Sequence, residues 1–131
     1  MNNVLLIDDD EVYNFLNKSL IELSGYAKVI NTCQSAKQGL NLLQTSAEDA
    51  LPDVILLDIK MPDIDGHGFL AYFANLPTTI RKKTKIAMLT SSLDPDDKQQ
   101  SLQYDSVIDF IEKPLNQIKL TNLKNKMEQV A

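Results

Sequence analysis

The chain has 131 residues, 44% of them apolar and 24% charged, and carries a net charge of −5. That is the scale of one domain, 1–131, able to bury roughly two thirds of its unfolded surface. The acidic balance argues against a nucleic-acid partner, and no apolar run approaches the roughly 18 residues of a membrane span. The start, MNNVLLIDDD, has neither the basic region nor the cleavage site of a signal peptide. The single cysteine, Cys33, allows no internal disulfide, so a cytoplasmic setting is expected and Cys33 reads as a small core residue.

Asn3–Ile7 reads as a buried strand. Val12, Leu16, Leu20 and Leu23 then recur at helical spacing, with Gly25 as the stop. Lys28–Thr32 is a second, weaker strand, and Ser35 caps a helix marked by Ala36, Leu40, Leu43 and Ala47. Val54–Leu57 is a third strand, followed by the turn-rich loop MPDIDG and a helix carrying Phe69, Leu70 and Phe73. Ile86–Leu89 is strand four, and Asp94-Pro95 is a strong helix start. Val107–Ile111 is strand five, and Leu120, Leu123, Met127 and Val130 mark the last helix.

Five apolar strands alternating with five amphipathic helices predict an α/β fold, a doubly wound parallel sheet in three layers. Ligands of such sheets bind beyond the carboxyl ends of the strands. Asp8, Asp9, Asp58, Thr90 and Lys113 all fall there. Three carboxylates in one crevice call for a cation, and Mg2+ suits them because it is hard, keeps waters and accepts phosphate as a further ligand. A metal, a lysine and a hydroxyl around an aspartate suit phosphoryl transfer. Asp10 reads instead as a helix-start residue stabilised by the helix dipole.

LLIDDDEV, DVILLDIKMPDIDG, IAMLTSS and DFIEKPL, in that order, resemble the receiver domain of two-component response regulators, of the single-domain, chemotaxis-regulator type. The resemblance implies a flavodoxin-like sandwich with strand order 2-1-3-4-5. It makes Asp58 the phosphorylation site, Asp9 a direct Mg2+ ligand, Asp8 its water-linked partner and the Lys60 carbonyl a third ligand. Thr90 would follow the phosphoryl group, Lys113 would pair with it, and Lys113-Pro114 would be cis. Phe110 stands where the family places its switch aromatic, with packing inside the core as the rival reading. Lys60 and Ser92 flank the acceptor and would tune access of water to it, and QYDSV departs from the family's glycine-containing turn. The implied partners are a sensor histidine kinase or histidine phosphotransfer protein and a downstream protein target, with no nucleic acid and no membrane. The output surface would be the helix after Asp94, strand five and the last helix.

Two rival motifs fail or fall behind. Met61–Gly66 hints at a calcium loop, but Met61 stands at its first ligand position and Tyr72 at its last. Asp8-x-Asp10 is similar to the nucleophile motif of haloacid dehalogenase-like phosphatases, with Asp8 attacking. That family's acidic pair after the lysine is missing, since only Glu128 follows Lys113. A receiver-like module that no longer phosphorylates is a third reading, disfavoured by the intact acid, hydroxyl and lysine positions. His67, the one histidine, is expected as a solvated side chain at a helix start. The chain is therefore expected to accept a phosphoryl group as a signal and not to act as an enzyme.

Overall fold

The computed structural model describes residues 1–130. The five strands are β1 (Asn3–Ile7), β2 (Val29–Cys33), β3 (Val54–Leu57), β4 (Lys85–Thr90) and β5 (Val107–Glu112). All pair in parallel in the order β2-β1-β3-β4-β5. The helices are α1 (Glu11–Ser24), α2 (Ala36–Thr45), α3 (Gly66–Phe73), α4 (Thr78–Lys83), α5 (Pro95–Leu102) and α6 (Gln117–Val130).

Alternation along the central strands explains why they read as unbroken apolar runs. Leu5 and Ile7 of β1 and Ile55 and Leu57 of β3 enter one core cluster with Leu43, Phe69, Phe73 and Ile80. Val4 and Leu6, with Val54 and Leu56, enter the opposite cluster with Ile21, Leu120, Leu123 and Met127. Helices α1 and α6 thus cover one face, and α2, α3 and α4 the other. A strand buried on both sides has no polar face to show.

The helix ends follow local chemistry. Asp10 caps α1 by accepting from the Val12 and Tyr13 N–H groups, and Gly25 closes it at φ +71°. Ser35, Asp65 and Asp94 cap α2, α3 and α5. Asp53 accepts from the Asn2 and Asn3 N–H groups and pairs with Lys83 at 2.9 Å, tying the start of β1 to the strands beside it. Burial raises the Asp53 carboxyl, but Lys83 and the two N–H groups outweigh it and hold the group below its ordinary value.

Three expectations need correction. Val12, Leu16, Leu23 and Val130, assigned to buried stripes, are exposed. Helix α1 turns Asn14, Asn17 and Ile21 inward instead, because Asn14 donates to the carbonyls of Asp8 and Cys33 at 3.0 and 3.1 Å. Among the described residues there are six α-helices rather than five: Pro77 caps the start of the short α4, whose six residues are too few to show periodicity. The β2 strand lies one residue later than Lys28–Thr32.

Candidate functional site

The carboxyl ends of β1, β3, β4 and β5 meet at one edge. The Asp58 N–H donates to Ile7 O at 3.0 Å and the Lys113 N–H to Thr90 O at 2.8 Å, so the ladder itself aligns the four strand ends. One carboxylate oxygen from each of Asp8, Asp9 and Asp58 can be chosen so that all lie within 4.8 Å of one another. Asp8 and Asp58 are buried and Asp9 is exposed. The Lys113 ammonium sits 2.7 Å from Asp8 Oδ2 and 3.6 Å from Asp58 Oδ1. The Lys113–Pro114 bond is cis.

The charges do not cancel. Burial pushes the Asp58 carboxyl up, the Asp8 and Asp9 charges push further, and Lys113 and the Ile59 N–H pull back only in part, leaving it at about 6. Burial lowers Lys113, but its hydrogen bond to Asp8 and the Asp58 and Asp8 charges more than restore it, so it is raised. The Lys113 ammonium also stands 4.2 Å from the centre of the Tyr13 ring, a cation–π contact. Three oxygen donors with uncompensated negative charge fit a hard divalent cation such as Mg2+. Asp8, Asp9 and Asp58 are the side chains that could hold it.

The loop after β3 is shaped by Gly66. Its N–H donates to Ile59 O at 2.7 Å, and a Cβ on it would lie 2.6 Å from Asp58 O and 2.8 Å from Ile59 Cα. Only glycine lets α3 start this close to the Asp58 backbone. Lys60 in this loop is exposed. Thr90 is fully buried and its Oγ1 accepts from the Ser92 N–H at 3.1 Å. Phe110 is half-buried and packs against the core cluster that holds Phe69 and Phe73. Cys33 is buried, as expected.

His67 is not the solvated side chain it was expected to be. It retains 13% side-chain exposure, and its Nε2 meets Asp97 Oδ1 of α5 at 2.9 Å. A lone histidine after glycine carries no sign of a partner thirty residues on. Tyr13, Asn14, Gly66 and Asp97 are the other site-shaping residues that motif reading leaves out. Of these, Gly66 had a cue, standing directly before a helix and close in sequence to Asp58.

A doubly wound parallel sheet with three carboxylates, a buried hydroxyl and a paired lysine at its carboxyl edge defines a domain suited to an anionic group beside a cation. The family is the response regulator receiver domain of two-component systems: its model matches residues 4–125, and the chain belongs to it. The chain is 31% identical over 115 residues, 86% of its length, to the transcriptional regulatory protein CitT of Halalkalibacterium halodurans, covering 46% of that protein. It is 30% identical over 120 residues, 92% of its length, to the transcriptional regulatory protein CpxR of Escherichia coli, again covering 46%. The chain thus spans less than half the length of these two relatives. Among solved structures, a two-component response regulator from Cytophaga hutchinsonii is 34% identical with a TM-score of 0.90, each chain covered to 98%. A receiver protein from Dyadobacter fermentans is 28% identical with a TM-score of 0.87, again with 98% of both chains covered. No helix among the described residues is long and apolar enough to cross a membrane.

Proposed function

We propose that Asp58 accepts a phosphoryl group from the phosphohistidine of a partner, a sensor kinase or a histidine phosphotransfer protein, in the cytoplasm. The observation that carries this reading is the placing of Asp58, a buried carboxylate grouped with those of Asp8 and Asp9 and 3.6 Å from the Lys113 ammonium. Its ionised carboxylate is the nucleophile. One carboxylate oxygen attacks phosphorus, the phosphorus–nitrogen bond breaks, and the imidazole leaves with the electron pair. Asp8, Asp9, Asp58 and the Lys60 carbonyl would hold Mg2+, which supplies neutralisation of the transferring group's negative charge.

The chain's own residues do the rest. Lys113, 3.6 Å from Asp58 Oδ1, pairs with the incoming anion. Thr90 offers its hydroxyl, and Phe110 fills the space Thr90 vacates. Lys60 is exposed beside the acceptor and limits access of water to the acyl phosphate. The donor meets an exposed apolar stripe on α1, formed by Val12, Phe15 and Leu16 just after the acidic triplet. The phosphorylated state is read as a changed protein-binding surface around α5, β5 and α6. It acts as a signal labelled once per molecule, and not as a turnover enzyme. Asp8 has one oxygen on Lys113 and the other on the Asp10 N–H, so the geometry offers no support for a phosphatase with Asp8 as nucleophile.

Incubation with a small-molecule phosphodonor tests this. Wild type is expected to be labelled once, only with Mg2+, and Asp58→Asn not at all. Magnesium-dependent labelling that persists in Asp58→Asn would overturn the assignment.

A further inference from the structure

A chain of polar contacts leaves the site through Thr90. Thr90 Oγ1 accepts from the Ser92 N–H at 3.1 Å. Ser92 Oγ donates to Asp97 Oδ2 and accepts from the Asp94 N–H at 3.2 Å. Asp97 Oδ1 meets His67 Nε2 at 2.9 Å. The chain therefore runs from the end of β4, through the cap of α5, to the first turn of α3. Hydrogen bonds from Ser92 and then His67, set against slight desolvation, hold the Asp97 carboxyl below its ordinary value, with the Lys60 charge adding to this.

The other ring nitrogen of His67, Nδ1, is buried and has no partner. Nε2 and Asp97 alone thus fix the ring by polar contact, and the tautomer with its proton on Nε2 is the one that satisfies the carboxylate.

We infer that His67, Asp97 and Ser92 form a latch that positions Thr90 in the resting state and is released when a phosphoryl group on Asp58 engages the Thr90 hydroxyl. This rests on the reading of Asp58 as the acceptor. Thr90 Oγ1 cannot travel toward a group on Asp58 alone. Either it leaves the Ser92 N–H bare, or it carries the Ser92 segment along. Ser92 is buried, and a bare buried N–H is unfavourable, so the segment moves. Ser92 Oγ, still bonded to Asp97, then draws Asp97 off His67, and the first turns of α3 and α5 come apart. His67, Asp97 and Ser92 are positioning residues, since all three act on the site through Thr90.

Contacts made only in the resting state oppose the phosphorylated one. Magnesium with beryllofluoride, a stable mimic of the phosphoryl group, measures the balance by amide NMR. His67→Ala and Asp97→Ala are each expected to bind beryllofluoride roughly three- to ten-fold tighter than wild type, the scale of one lost resting-state hydrogen bond. His67→Gln, which keeps a donor, is expected to move back toward wild type. Because His67 is the only histidine, its ring nitrogens give one signal pattern, which should report the Nε2–H tautomer at rest and shift as beryllofluoride saturates the site. Unchanged or weaker binding in both folded alanine variants overturns the latch, as does a His67 signal that stays fixed while the amides around Asp58 shift to saturation. If wild type shows no magnesium-dependent shifts around Asp58, the acceptor reading falls, and the latch with it.

Discussion

Asp58 is the residue at which stability and the proposed function oppose each other. Its folded value of about 6 lies above the 3.8 of an ordinary aspartate. Between those two values the folded chain takes up a proton that the unfolded chain does not. Stability without a divalent cation should therefore rise as pH falls through about 6, level off near 3.8, and be lost again as pH climbs back. The shift corresponds to about 3 kcal/mol at most. Urea melts between pH 7 and pH 5 in chelator check this, and saturating Mg2+ should flatten the trend because a bound cation favours the ionised form. Asp58→Asn should stabilise the cation-free protein at pH 7 by about 1–3 kcal/mol, in line with relief of the same repulsion. At Gly66 the constraint is steric. Gly66→Ala would press a methyl against the Asp58 carbonyl, and a backbone rarely yields. A loss of about 2–4 kcal/mol in stability is expected, with slowed phosphodonor labelling if the displaced loop carries Lys60 with it.

The elements show where sequence patterns carry information and where they stop. Strands β1 and β3 were legible because every residue from Val4 to Ile7 and from Val54 to Leu57 is buried, which demands apolar side chains throughout. Helix α1 was legible in extent but not in orientation. It carries apolar side chains on two faces, and spacing alone cannot say which one meets the sheet. The deciding residue is Asn14, whose amide bridges the carbonyls of Asp8 and Cys33 at the ends of β1 and β2. A polar residue that is buried because of its hydrogen bonds looks, in sequence, like one that is exposed. Asn14→Leu should cost about 1–3 kcal/mol although it adds apolar surface at a buried position, since it takes the Asn14 donor from the Asp8 carbonyl and leaves the Cys33 carbonyl only the Asp8 N–H. Chemical denaturation reads that directly. Exposed Val12, Phe15 and Leu16 are the other side of the same rotation, and they leave an apolar rim beside the acidic triplet.

Across the whole molecule, most of the site was legible because the fold reduces it to a rule. A parallel sheet places strand ends together, so Asp8, Asp9, Asp58, Thr90 and Lys113 could be grouped from position alone. What position cannot supply is the division of labour among them. Of the triplet Asp8, Asp9 and Asp10, sequence sets apart only Asp10, as a helix-start residue, while in the structure each faces different partners. Asp8 is clamped by Lys113, Asp9 is exposed next to Asp58, and Asp10 caps α1. The contacts leading from Thr90 to His67 were hidden for a different reason, because they join residues on two helices and a loop that share no motif. Asp58, and not a member of the triplet, is the residue proposed to become phosphorylated. The most direct measurement is borohydride reduction of the phosphodonor-treated protein, which converts an acyl phosphate to an alcohol, followed by peptide mass mapping. Modification confined to Asp58 is predicted, and modification at Asp8 or Asp9 would contradict it.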